Sequence, residues 1–141
     1  MTISLVRSEA VPALIGDPQD FLIVAGLAGT AKDVASLTDD GANAFCLAGA
    51  MGASTMMGLG LAMAQPDKRI LVVTGDGELL MNVGSLASIA SVNPANLSIV
   101  CVDNGHYGEP GYQPSHTNGV TDLAQMAAGA GIPRVQTIRD T

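Results

Sequence analysis

Aromatic and basic side chains are both scarce in this chain of 141 residues. It has no Trp, two Tyr and two Phe, whereas glycine alone contributes 17 residues. A core built mainly from bulky rings is therefore excluded, and we expect close packing of small and aliphatic side chains. Six basic residues against 13 acidic ones give a net charge of −7. That charge argues against nucleic acid or an anionic membrane as the main partner.

Cysteine is also rare, and no targeting signal is evident. Cys46 and Cys101 lie inside apolar runs without metal-binding spacing, so we expect two buried, reduced thiols. The first residues lack a signal-peptide pattern, and a cytoplasmic protein is expected. Residues 41–65 carry no charge, but their glycines and polar side chains favour a buried strand and a helix over a transmembrane span.

The length fits a single domain, residues 1–141, with a hydrophobic core. Short apolar runs alternate with segments of helical periodicity. The predicted strands are residues 21–25, 44–48, 70–74, 97–102 and 135–138. The predicted helices are residues 8–14, 31–37, 53–64, 78–90 and 123–130. This alternation predicts an α/β fold with a doubly wound parallel sheet.

Two polar triplets follow neighbouring predicted strands, Gly-Asp-Gly at 75–77 and Asp-Asn-Gly at 103–105. Ligands of open α/β sheets bind at that edge, and the flanking glycines allow close approach to Asp76. Asp76 and Asn104 offer the oxygen ligands that Mg²⁺ prefers. The predicted helix from Glu78 would point its N–H groups at the same place, which suits a phosphate. A Mg²⁺–diphosphate site is one interpretation, and two tight turns with ordinary caps are the other.

The spacing of the triplets resembles the signature of thiamine diphosphate (ThDP) enzymes, which is Gly-Asp-Gly, a spacer of similar length and Asn-Asn. Here 25 residues, 78–102, separate the triplets, and Asp103 replaces the first Asn. The resemblance implies that Mg²⁺ is held by Asp76, Asn104 and the backbone carbonyl of His106.

A second motif, Gly-Ala-Met-Gly at 49–52, places one large flexible side chain among small residues after a predicted strand. A Met filling a gap in the core is one interpretation. The segment also resembles the place where ThDP enzymes put a bulky apolar residue under the cofactor. The resemblance implies that Met51 bends ThDP into a V and that the carbonyl of Gly49 binds its amino group. The implied cofactor-binding residues are Gly49, Ala50, Met51, Gly75, Asp76, Gly77, Glu78, Asn104, His106, Tyr107 and Gly108.

Residues 84–90 and 103–117 resemble the sulfopyruvate and phosphonopyruvate decarboxylase group, and most of all the sulfopyruvate decarboxylase β subunit. The resemblance implies ThDP-dependent decarboxylation of a small 2-oxo acid. Glu78 departs from the Ser or Ala frequent in this group. Because a second carboxylate would repel a diphosphate, we expect Glu78 to contribute its backbone N–H. Tyr112 stands where Gly is frequent, which leaves the substrate open.

Part of such an active site must come from elsewhere. The family activates the aminopyrimidine with a Glu on a pyrimidine-binding domain, so the resemblance implies an α-subunit partner and a hetero-oligomer, together with a homodimer of this domain. No catalytic residue is assigned to this chain. A sulfonate or phosphonate needs cationic groups, which the motif loops lack. Five basic residues are expected away from the two motifs: Lys32, Lys68, Arg69, Arg134 and Arg139. Family domains usually continue past the last strand, so truncation near Thr141 is an open alternative.

Other roles remain open. His106 and His116 could shuttle protons, the first being alternatively an exposed loop residue and the second a residue at the active-site mouth. Acetolactate synthase-like carboligation is a second hypothesis for the enzymatic activity. A nucleotide-binding or regulatory domain is a third, although no Gly-x-Gly-x-x-Gly opens a helix after the first strand. A non-catalytic ThDP-binding domain is a fourth.

Overall fold

The structure, a computed structural model, describes residues 5–140 and alternates helices with strands along most of that range. The helices are α1 (Arg7–Ile15), α2 (Gly29–Thr38), α3 (Ser54–Ala64), α4 (Asp76–Met81), α5 (Ser85–Val92) and α6 (Leu123–Ala130). The strands are β1 (Leu22–Ala25), β2 (Ala44–Cys46), β3 (Ile70–Gly75), β4 (Leu97–Val102), β5 (His106–Tyr107) and β6 (Gln113–Pro114).

Strands β1 to β4 form one parallel sheet in the order β2-β1-β3-β4, which confirms the predicted α/β fold. β3 is central and pairs with β1 on one side and β4 on the other. The chain leaves β1 toward β2 and leaves β3 toward β4, so the strand order reverses between β1 and β3. Such a reversal opens a crevice at the carboxyl ends of the two strands.

Helices cover both faces of the sheet. Leu71 and Val73 of β3 pack into a core cluster with Val11 of α1 and Val34 of α2. Val72 faces the other way, toward α3, where a Cβ atom on Gly58 would lie 2.2 Å from Val72 Cγ2. The two surfaces of β3 are therefore both buried, which explains its unbroken apolar run.

The uncharged segment 41–65 folds as β2 and α3, as expected. Within the part of the chain that the structure describes, no helix combines the length and apolarity needed to cross a bilayer.

Two predictions about the elements are wrong. The helix predicted at 78–90 is two helices, because Asn82 forms a C-cap and directs its side chain to Gly52, and the break continues to Gly84. The strand predicted at 135–138 is irregular, and its apolar side chains are exposed without a neighbouring strand in the described range. Cys46 and Cys101 are both free, as expected, but they are partly exposed because they lie on the two edge strands of the sheet.

Candidate cofactor site

A cavity of about 290 Å³ opens at the carboxyl edge of the sheet and is lined by both sequence motifs. Gly75 at the end of β3 pairs in register with Val102 at the end of β4, so the residues that follow both strands meet there. The predicted residues that line it are Met51, Gly75, Asp76, Gly77, Glu78, Asn104, His106, Tyr107 and Gly108. Gly49 and Ala50 are exposed and do not line the cavity.

Asp76 is buried at the first position of α4, with 2% of its surface exposed. Its Oδ2 accepts hydrogen bonds from the hydroxyls of Ser115 and Thr117, the latter at 3.1 Å. Thr117 Oγ1 also lies 2.6 Å from Asp103 Oδ1, so its single hydrogen can serve either carboxylate. Sequence reasoning missed these two hydroxyls, because nothing in a loop 39 residues away from Asp76 marks them as its partners.

Asn104 is exposed in a tight turn after β4. Its Oδ1 accepts a hydrogen bond from the backbone N–H of His106 at 3.0 Å, and His106 Nδ1 lies 3.0 Å from the carbonyl oxygen of Asn104. The His106 ring stacks on Tyr112, with ring centroids 4.3 Å apart. Tyr112 has a φ of 60°, in the left-handed region that favours glycine. This backbone explains why glycine suits the position.

Tyr107 closes over the Gly-Asp-Gly turn. A Cβ atom on Gly77 would lie 2.4 Å from Tyr107 Cε1, so the ring occupies the space that any other residue at 77 would need. The second glycine of the motif is therefore required by packing, in addition to any close approach of a ligand.

The side chain of Glu78 is buried instead of extending into solvent, with 4% exposed. It accepts a hydrogen bond from Thr74 Oγ1 at 2.9 Å and a longer one from the backbone N–H of Ser54 at 3.4 Å. The carboxylate is thus bonded to the fold while Glu78 also lines the cavity.

Two basic residues reach the cavity, contrary to the prediction for Lys32. Lys32 of α2 and Arg7 of α1 both line it. Arg7 forms an ion pair with Asp33, and its guanidinium packs on Gly29, where a Cβ atom would lie 2.6 Å from Arg7 Cζ. The sequence offered no signal for this, because helix packing on the sheet brings α1 and α2 to this edge.

His116 does not line the cavity that contains Asp76. It lines a second cavity, together with Met81, Tyr107 and Met126, and Tyr107 lines both cavities. Ser115 and Thr117, the chain neighbours of His116, both bond Asp76, and a place for His116 at the mouth of the active site stays a prediction.

The charge around β4 is mainly negative. Burial raises the pKa of the Cys101 thiol, and the carboxylates of Asp76, Asp103 and Glu78 raise it further. Residues 5–140 contain no cluster of three or more His, Cys, Asp and Glu side chains suited to a metal. A cation here would instead use one carboxylate with amide and carbonyl oxygens, a donor set that fits Mg²⁺.

Comparison with known proteins identifies the family. The model of the thiamine pyrophosphate enzyme C-terminal TPP-binding domain matches residues 30–141, a range that includes both motifs. The chain therefore belongs to this family of thiamine pyrophosphate-binding domains.

Individual relatives give the same picture. The chain is 39% identical over 116 residues to the sulfopyruvate decarboxylase subunit beta of Methanocaldococcus jannaschii, covering 82% of this chain and 61% of that protein. It is 35% identical over 126 residues to the phosphonopyruvate decarboxylase of Streptomyces viridochromogenes, covering 89% of this chain and 31% of that protein. A putative thiamin diphosphate-dependent enzyme from Mycobacterium smegmatis shares the fold, with a TM-score of 0.74, 22% identity and coverage of 92% of this chain and 26% of its own.

Proposed function

We propose that this chain is the ThDP- and Mg²⁺-binding subunit of a 2-oxo acid decarboxylase of the sulfopyruvate or phosphonopyruvate type. The observation that carries the proposal is the position of Asp76 and Asn104, which follow adjacent parallel strands and line one cavity in a chain of the ThDP-binding family. Residues 1–141 would form one cofactor-binding domain.

The residues of the cavity fit the cofactor's chemistry. Asp76, Asn104 and the carbonyl of His106 would hold Mg²⁺, and the metal would bind the diphosphate. Lys32 would add positive charge to the same cavity, and Arg7 would add N–H donors while paired with Asp33. Met51 would support the rings, with Gly49 and Ala50 beside it. Bound ThDP would supply a carbanion nucleophile and an electron sink.

The remaining chemistry would come from a partner. The chain spans 61% of the length of the M. jannaschii β subunit and 31% of the S. viridochromogenes decarboxylase, so a whole active site need not be present here. We infer that an α subunit with a pyrimidine domain contributes the catalytic Glu, giving a hetero-oligomer that includes a homodimer of this domain. The cytoplasm remains the predicted location.

Calorimetric titration with ThDP, with and without Mg²⁺, tests the cofactor site. The wild type should bind ThDP only with Mg²⁺, and Asp76→Asn should weaken binding about 100-fold, since it removes the charged metal ligand. Asp67→Asn changes an exposed loop carboxylate and serves as the matched control. Metal-independent binding that Asp76→Asn leaves unchanged would refute the site.

An activity assay tests the partner and the reaction. The chain alone should not decarboxylate sulfopyruvate or phosphonopyruvate, and addition of the α subunit should start the reaction. Decarboxylation by the isolated chain would contradict the shared active site. Condensation of pyruvate to acetolactate in place of decarboxylation would favour the carboligase alternative.

A further inference from the structure

Glu78 makes three contacts that the cofactor does not require. Its carboxylate accepts hydrogen bonds from Thr74 on β3 and Ser54 on α3, and no basic side chain in residues 5–140 forms an ion pair with it. It also fills the space over Gly26 at the end of β1, where a Cβ atom would lie 1.7 Å from Glu78 Oε2. One carboxylate therefore joins two strands and a helix at the crevice.

The contact with Ser54 replaces a missing helix cap. α3 begins at Ser54, and its N-cap residue Ala53 provides no side-chain hydrogen bond. A carboxylate at this end satisfies a free N–H group and complements the positive end of the helix dipole. Glu78 thus stabilises the start of α3 from a neighbouring helix.

Asn82 makes the next contact along the same helix. Its Nδ2 donates to the carbonyl oxygen of Gly52 at 2.9 Å. Gly52 has a φ of 83°, and a Cβ atom there would lie 3.1 Å from Asn82 Cβ, so only glycine fits this turn closely. Glu78 lies within α4, and Asn82 is its C-cap residue, so the Gly52 turn and the start of α3 are both bonded to this one short helix.

We propose that Glu78 and Asn82 are positioning residues that hold the backbone of residues 51–54 against α4. Asp76 begins α4, and these two side chains fix Met51 relative to it. A helix of six residues is about 9 Å long, so this short rod sets the separation between the Asp76 end and the Met51 turn. The importance of this separation for ThDP rests on the proposed function. If the chain binds ThDP as proposed, Asp76 and Met51 contact the two ends of the same ligand.

The proposal predicts different effects on ThDP affinity and on kcat. Loss of either contact should loosen Met51 and leave the contacts of Asp76 in place. We expect the affinity for ThDP with Mg²⁺ to change less than about threefold, whereas kcat falls about tenfold, since one lost hydrogen bond allows a misplacement at the reacting end.

Hydrogen exchange of the unliganded chain tests the positioning directly. Amides of residues 50–55 should exchange about five to ten times faster in Glu78→Ala and in Asn82→Ala than in the wild type. Glu78→Gln keeps an acceptor oxygen and should recover part of the protection. Asn96→Ala is the matched control, because Asn96 Nδ2 lies within hydrogen-bond distance of three carbonyls near the far end of α3, those of Ala62, Gln65 and Lys68.

The exchange rates of the two variants and of the control decide the positioning role. Unchanged exchange in residues 50–55 of Asn82→Ala and Glu78→Ala, or an equal increase in Asn96→Ala, would overturn the positioning role. If Glu78→Ala does not fold, Asn82→Ala alone decides. Failure of the wild type to bind ThDP would refute the proposed function, while the exchange data would still decide whether α4 holds the turn.

Discussion

The two strands that lead into the site differ sharply, although they are adjacent, parallel and six residues long. β3 is buried on both faces and leads to buried Asp76, whereas β4 lies at the sheet edge and leads to exposed Asn104. Because Asp76 is buried, bonded by hydroxyls and part of a helix, we expect its half of the site to be the more rigid. Asn104 lies in an exposed turn, so its half can adapt more easily to a ligand.

Alanine at each of these two positions provides the sharpest test of that difference. Asp76→Ala should abolish Mg²⁺-dependent ThDP binding and also cost about 1–3 kcal/mol of stability, because the buried hydroxyl of Ser115 loses its carboxylate acceptor while Thr117 keeps Asp103. Asn104→Ala should weaken binding about tenfold and leave stability within about 0.5 kcal/mol, since the residue is exposed. Calorimetry measures the ThDP affinity of each variant, and denaturant unfolding measures its stability. Equal destabilisation by the two variants would remove the distinction.

Packing against the central strand gives the next largest effect. Gly58→Ala should destabilise the chain by about 1–3 kcal/mol, because the added methyl overlaps Val72. Gly60 lies on the same helix with open space at its Cβ position, so Gly60→Ala should be neutral or stabilise by up to about 1 kcal/mol. Similar midpoints of urea unfolding for both variants would contradict the close approach of α3 to β3.

The thiol on the edge strand gives a smaller, kinetic effect. Burial and neighbouring carboxylates raise the pKa of Cys101, so its folded form keeps the proton when an unfolded thiol loses it. Stability should therefore fall as pH rises above about 9, and alkylation at pH 8 should be at least about tenfold slower than in urea. Mass spectrometry of iodoacetamide-treated protein measures the rate. Rapid alkylation of folded Cys101 would show that β4 opens more than its burial indicates.

Tyr112, in the loop after β4, should show the smallest effect. Tyr112→Ala loses the ring stacked on His106 and keeps the left-handed backbone, so it should cost about 1 kcal/mol. Tyr112→Gly also loses the ring but relieves that backbone, and should be the more stable of the two. Denaturant unfolding compares them. If the alanine variant were the more stable, the strain at this position would be refuted.

Local patterns predicted the regular parts of the fold well. β4 has the predicted bounds, and α6 begins after Asp122, whose side chain accepts a hydrogen bond from the Gln125 N–H. The predicted strand at 135–138 failed because apolar residues form a strand only when a neighbouring strand can bond to them. The break at Asn82 could not be predicted from local sequence either, since the Asn82 side chain bonds the carbonyl of Gly52, 30 residues away.

The motifs alone determined that an acidic residue and an amide follow two successive buried strands, because that depends only on short apolar runs and the turn residues after them. Tertiary structure alone decided what surrounds them. Arg7, Lys32, Ser115 and Thr117 reach this edge through the packing of helices and a loop distant in sequence. Such contacts depend on where whole elements lie on the sheet, and no local pattern encodes that placement.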